Sequence, residues 1–283
     1  DAQESRGLGD VYKRQIIRCI NFDEKNIFVL TYVRRIFFMF IVLNKQKIYS
    51  YLISIVTVCM LFAFASGINV NEKSIITSTT SKLLPIYNVI TDENKVALTM
   101  NCAWNADDID SILGTLEKNN VKITFFVVGE WVDKYPEAVK KIHAAGHEIA
   151  NHSNKHPHVN KLSLEENISE IKQCSEKVKN LTGTETVLYR APYGEYNNTV
   201  INAAKEGNHL AIQWNLDTLD YTGIEGQDMW QRLQDKIKSG SIILMHNGTK
   251  HTADSLEMLI KNINNKGLKI VKVSDLILSL IHI

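Results

Sequence analysis

The sequence predicts an α/β domain built on a parallel sheet of about seven strands. Three observations carry this. Short β-branched or aromatic runs alternate with longer amphipathic segments. Each strand candidate has a helical neighbour, the pattern of repeated β/α units. Polar residues interrupt the apolar pattern just past the strands' C-terminal ends, where β/α folds build their sites. Periodicity alone admits a barrel or an open sheet, with right-handed crossovers in either case.

The composition fits such a domain. With 283 residues, 45% hydrophobic and 22% charged, the chain can bury one sizeable core or two small ones. The net charge of +1 gives no reason to expect nucleic acid as a partner. Cys19, Cys59, Cys102 and Cys174 make no disulfide framework, and a Cys102–Cys174 bridge is allowed but not required.

Taken in order, residues 1–38 are unpatterned and are expected to be a non-native read-through leader, with Met39 the expected start. Lys45 and Lys47 then precede an uncharged run, 48–65, which ends on the small-residue site Ala63-Phe64-Ala65. Residues 39–67 therefore read as a signal peptide or a membrane anchor. Either one places the protein outside the cytoplasm, secreted or anchored to the plasma membrane on the cell-wall side. Residues 68–83 read as a polar linker, with one short strand near Leu84-Pro85-Ile86-Tyr87. A single domain is expected from 84 to 277, and residues 278–283 resemble a second read-through tail. Its strands are expected at 95–101, 121–128, 148–151, 186–190, 209–215, 241–246 and 269–273. Helices are expected at 107–119, 131–145, 163–181, 197–206, 226–238 and 252–266.

Five strand ends carry chemistry: Asn101, His152, Arg190, Asp217 with Asp220, and His246. His152 and His156 are four apart, and Pro157 keeps His156 off a helix, so the pair reads as two metal ligands on a turn. In Arg190-Ala191-Pro192-Tyr193-Gly194, the proline and glycine suit a rigid turn that aims a backbone N–H at an oxyanion. Asp217 and Asp220 sit beside Trp214 and Tyr221; the carboxylates can orient an arginine or a histidine, and the aromatics can stack on sugar rings. His246 closes the buried run 241–245 and is a candidate general acid.

With these segments assembled, the chain resembles the polysaccharide deacetylases of carbohydrate esterase family 4. The resemblance covers 84–277 and rests on His152-Ser153-x-x-His156, Arg190-x-Pro192-Tyr193-Gly194, Asp217-x-x-Asp220 and Leu244-x-His246. Thr124-Phe125-Phe126 and Gly146-His147-Glu148-Ile149 look like the same framework, of the spore-former cell-wall type. The resemblance implies a distorted (β/α) barrel and a divalent metal, commonly zinc, on an Asp and two His. It implies hydrolysis of N-acetyl groups on peptidoglycan or a related glycan, with release of acetate. His246 would protonate the leaving amine, the Tyr193 N–H would hold the oxyanion, and Arg190 with Asp217 or Asp220 would orient both groups. Pro192, Trp214 and Leu244 would line the substrate.

One motif departs. The family's Thr-Phe-Asp-Asp-Gly is replaced by Thr99-Met100-Asn101-Cys102-Ala103, so the base position holds an amide that accepts no proton near neutral pH. Three readings stay open. Asp107 or Asp108 folds back as ligand or base; Cys102 ligates the metal as a thiolate; or turnover is lost and the protein binds glycan on the same scaffold.

Overall fold

The structure, a computed structural model, describes residues 45–67 and 81–278. Residues 1–44, 68–80 and 279–283, with the expected leader, most of the linker and most of the tail, lie outside the described residues. The chain divides into two compact units, Asp1–Thr79 and Thr80–Ile283. In the first, the apolar run forms a helix, α1 (Lys45–Gly67). Among the described residues no helix is long and apolar enough to cross a membrane.

The second unit is built around β1 (Lys95–Cys102), buried over all but its first residue, as a central parallel strand requires. Following it are α2 (Ile109–Lys118), β2 (Thr124–Val127), α3 (Gly129–Lys134), α4 (Pro136–Ala144), β3 (Glu148–Asn151) and α5 (Leu164–Thr182). The chain continues through β4 (Leu188–Tyr189), α6 (Asn198–Glu206), β5 (Leu210–Ala211), β6 (Leu216–Asp217) and α7 (Gly226–Leu233). It closes with β7 (Ile242–His246), α8 (Thr252–Asn265), β8 (Lys269–Val271) and α9 (Val273–Leu278). The strand order is β5-β4-β3-β2-β1-β7-β6, with β8 beside the first residues of β1, and every ladder is parallel.

The pleat sorts the residues of each strand between two cores. Val96, Leu98, Met100 and Cys102 of β1, Phe125 and Val127 of β2, and Ile243 and Met245 of β7 pack in the larger cluster with the helices. Ala97, Phe126 and Ile242 point the other way into a second cluster on the inner face of the sheet. Asn101 and His246 fall on that same inner side, and their Cα atoms are register partners at the rim.

Four expectations change. The sheet is a curled half-barrel, because among the described residues no ladder joins its end strands β5 and β6. Between them the backbone is committed elsewhere: the Gln213 N–H bonds the Ile86 carbonyl and the Asn215 N–H that of Ile242. The expected strand 209–215 accordingly shortens to β5, the next strand, β6, lies past its expected end, and the expected strand near Ile86 is reduced to a bridge to Ile212. The expected helix 131–145 breaks at Tyr135, since Pro136 cannot continue α3 but suits the first turn of α4. Among the described residues Cys59, Cys102 and Cys174 are free thiols, so the Cys102–Cys174 bridge that the sequence allowed without requiring is not formed.

Candidate active site

The C-terminal ends of the strands surround a cavity of about 680 Å³. Asn101, His152, His156, Tyr193, Trp214, Asp217, Leu244 and His246 all line it.

The histidine turn is fixed from below. As β3 ends, the Asn151 Oδ1 accepts the Ser153 N–H at 2.8 Å, an Asx turn that reverses the chain. The Asn151 amide donates in turn to the Ile171 carbonyl (2.7 Å) and the Ser175 hydroxyl (2.8 Å) of α5. A Glu170 carboxylate oxygen, also on α5, accepts the N–H groups of Asn154 and Lys155 at 2.9 and 2.8 Å. Ser153 and His156 both take left-handed φ values, 65° and 57°, so the pair lies on a turn and not a helix. His152 is fully buried, and its Nδ1–H donates to the Arg190 carbonyl at 2.7 Å. That bond leaves Nε2 with its lone pair, and burial holds the imidazole well below the usual histidine range, so it is neutral and ligand-ready. The His156 ring packs edge-on 5.0 Å away, and burial lowers it as well.

His246 is held with equal care. Its Nδ1 and backbone N–H both go to Asp220, at 2.8 and 2.6 Å. Asp220 is completely buried and accepts further bonds from the Tyr221 N–H (2.9 Å) and the Thr252 hydroxyl (2.7 Å). Asp220 thereby sets the tautomer of His246 and leaves its Nε2 for the cavity. Asp217 is separate: its carboxylate accepts the Leu219 N–H at 2.8 Å, and burial pushes it above the usual carboxylate range.

The base position is occupied differently. The buried Arg190 guanidinium lies 3.9 Å over the Phe126 ring and donates to the Thr99 hydroxyl and the Asn101 Oδ1, both at 2.9 Å, and to the Gln213 carbonyl at 3.2 Å. Among the described residues its Nε has no partner, and burial pushes its pKa down to about 9. A buried cation thus meets neutral acceptors where an ion pair would be expected.

The remaining named residues fall in three places. Cys102 is on the opposite pleat from Asn101, inside the main core, where burial pushes its thiol well up. Asp107 is exposed. Asp108 starts α2 without capping it; its carboxylate accepts the Gly248 N–H at 2.7 Å and the Asn247 amide at 3.2 Å. Tyr193 has φ of 59° in the Pro192–Gly194 turn, between the edge of His156 (4.6 Å) and the stacked ring of His158 (4.5 Å). His158 is fixed there by Glu195 at 2.7 Å.

The donor set can be weighed against the metal the resemblance implies. Two imidazoles converge, but among the described residues no group of three His, Cys, Asp or Glu is arranged to hold an ion. Asn101 cannot complete it as a carboxylate would, since its oxygen is committed to Arg190. The residues present do not fit the three-ligand site.

Sequence reasoning passed over Asn151, Thr252 and Trp104. Trp104 follows β1 directly and lines the cavity, so the rule that found the other strand-end residues reaches it too. Thr252 lies 32 positions from Asp220 and carries no signal of its own.

A family model described as polysaccharide deacetylase matches residues 88–211. The chain is 35% identical to the uncharacterized protein YlxY of Bacillus subtilis, over 68% of this chain and 60% of that protein. It is 31% identical to a peptidoglycan-N-acetylglucosamine deacetylase of Bacillus cereus, over 64% of this chain and 68% of that one. Among solved structures it is similar to BA3943, a CE4 family pseudoenzyme from Bacillus anthracis, with a TM-score of 0.66, 31% identity and 68% of each chain covered. The chain spans less than two thirds of the length of YlxY.

Proposed function

The chain belongs to the polysaccharide deacetylases of carbohydrate esterase family 4, and on that premise we propose that its cavity binds an N-acetylated cell-wall glycan of the peptidoglycan type without efficient turnover. The observation that carries this reading is Asn101. It stands in the base register with its oxygen bound by Arg190, and among the described residues no third ligand joins His152 and His156. Loss of a general base alone costs a factor of roughly 10² to 10⁴.

The binding half of the site is complete. The N–H of Tyr193 makes no hydrogen bond within the described residues and can meet an acetyl carbonyl. Leu244 and Trp214 offer apolar surface to the acetyl methyl. Such a glycan lies outside the plasma membrane, so the reading carries an exported protein, secreted or anchored.

The intact His246–Asp220–Thr252 relay favours a second reading, a deacetylase of residual activity. That reading needs zinc on His152 and His156 with a third ligand that the described residues do not supply. Calorimetry with N-acetylated peptidoglycan fragments, metal analysis and an acetate assay on one preparation separate the two. We expect bound glycan and acetate at background. Acetate release by the unaltered chain that disappears in His152→Ala would overturn the binding reading.

A further inference from the structure

We propose that Trp104 is the sugar-stacking platform of this site, taking the face of a neutral pyranose ring that lies beside His246. The proposal rests on the glycan reading above and adds the residue that recognises the ring. Trp104 is 49% exposed, although a tryptophan left in water forgoes much of its hydrophobic stabilisation. It packs against the His246 imidazole at 5.4 Å and 32°, while Tyr221, itself half exposed, meets the same imidazole edge-on at 5.4 Å.

The loop that presents Trp104 is tied down by hydrogen bonds on both sides. The Trp131 indole N–H and the Asn247 amide both donate to the Asn105 carbonyl, at 3.0 and 2.6 Å. The Asp108 carboxylate ties the far side of the loop to the Gly248 N–H. Gly248 has φ of 71°, and a Cβ there would come within 3.0 Å of the Asn105 side chain, so the close approach depends on glycine. Asp108 thus holds an aromatic ring in place next to the acid. A platform ordered before binding loses little entropy when a ligand arrives.

The lining selects the occupant. Glu130 and Asp217 balance Lys134 and Lys155, so the cavity favours a neutral ligand over a polyanion or polycation. Those four side chains can bond hydroxyls, while the indole face takes the C–H face of a pyranose. A neutral sugar ring satisfies both.

The test is calorimetric titration of the full chain and its Trp104→Ala and Trp104→Phe variants with tetra-N-acetylchitotetraose, alongside thermal melts. We expect Trp104→Ala to bind about ten-fold more weakly with an unchanged melting temperature, and Trp104→Phe to stay within about three-fold of the parent. If the parent binds and Trp104→Ala binds equally well, the platform assignment fails and the glycan reading stands. If the parent itself does not bind, the glycan reading falls and Trp104 with it. Weak binding that Phe does not restore, with a lowered melting temperature, reduces Trp104 to a structural role and also overturns the proposal.

Discussion

At the scale of single residues, the proposed loss of turnover rests on Asn101 and Arg190. The guanidinium is buried, and its nearest acceptors are a hydroxyl, an amide and a carbonyl. A carboxylate at 101 would be charged and within hydrogen-bond reach, so Asn101→Asp is expected to stabilise the fold by about 2 kcal/mol at neutral pH. Asn101→Leu removes the acceptor and is expected to cost about 2 to 3 kcal/mol. Urea midpoints of the three proteins check this; a destabilised Asn101→Asp would mean that Arg190 is satisfied as it stands. The departure at 101 was legible in the sequence, because strand and motif register place it. The fates of its neighbours were not. Cys102 is excluded by the pleat, which sends alternate residues of β1 into different cores. Asp108 is turned by partners on the loop after β7, Asn247 and Gly248, and no local pattern reports a contact across 139 or 140 positions.

At the scale of elements, α5 shows how a helix on the outside sets a turn on the inside. Its start is conventional: the Ser163 hydroxyl accepts the Glu166 N–H and the Glu166 carboxylate accepts the Ser163 N–H, a capping box. Two turns on, its inward groups hold Asn151 and so the histidine turn. Ser163→Ala is therefore expected to lower stability by about 1 kcal/mol and leave glycan affinity unchanged. Asn151→Ala strands the Ser153 N–H and frees the turn, so it is expected to cost about 2 kcal/mol or more and weaken glycan binding as well. Equal effects of both variants on affinity would contradict this division. Helices of this kind were legible because apolar spacing and caps are local signals; the break at Pro136, equally local, was passed over in the expected helix 131–145. The ends of β5 and the place of β6 were not legible. The run 209–215 stops pairing as one strand because Gln213 bonds Ile86 and Asn215 bonds Ile242, and β6 forms only past it, at Leu216–Asp217.

Across the whole molecule, buried neutral histidines tie folding to pH. His147 is 5% exposed, and its Nδ1 accepts the Ile123 N–H at 3.2 Å; burial lowers its pKa from 6.5 to about 4. His209 is lowered in the same direction by burial, with Nδ1 at 2.6 Å from the Gly207 carbonyl and Nε2 at 2.8 Å from the Thr186 hydroxyl. Because these folded values lie below the unfolded one, the unfolded chain takes up protons first as the pH falls. Their stabilisation is complete above about pH 6.5 and declines as the pH drops towards 4, by at most about 1.4 kcal/mol per pH unit for each group. Asp108 and Asp217, which burial raises, act in the opposite sense, but only as the pH approaches the carboxylate range. The interval from about 6.5 to 5 therefore reads the histidines. Urea midpoints across it are expected to fall with acidity. In His147→Asn, where the amide oxygen can replace Nδ1 as acceptor for Ile123, the slope is expected to decrease by close to one proton. If the slope of His147→Asn matched that of the parent chain, His147 would be protonated in the folded state already, and its bond to the Ile123 N–H could not hold as drawn.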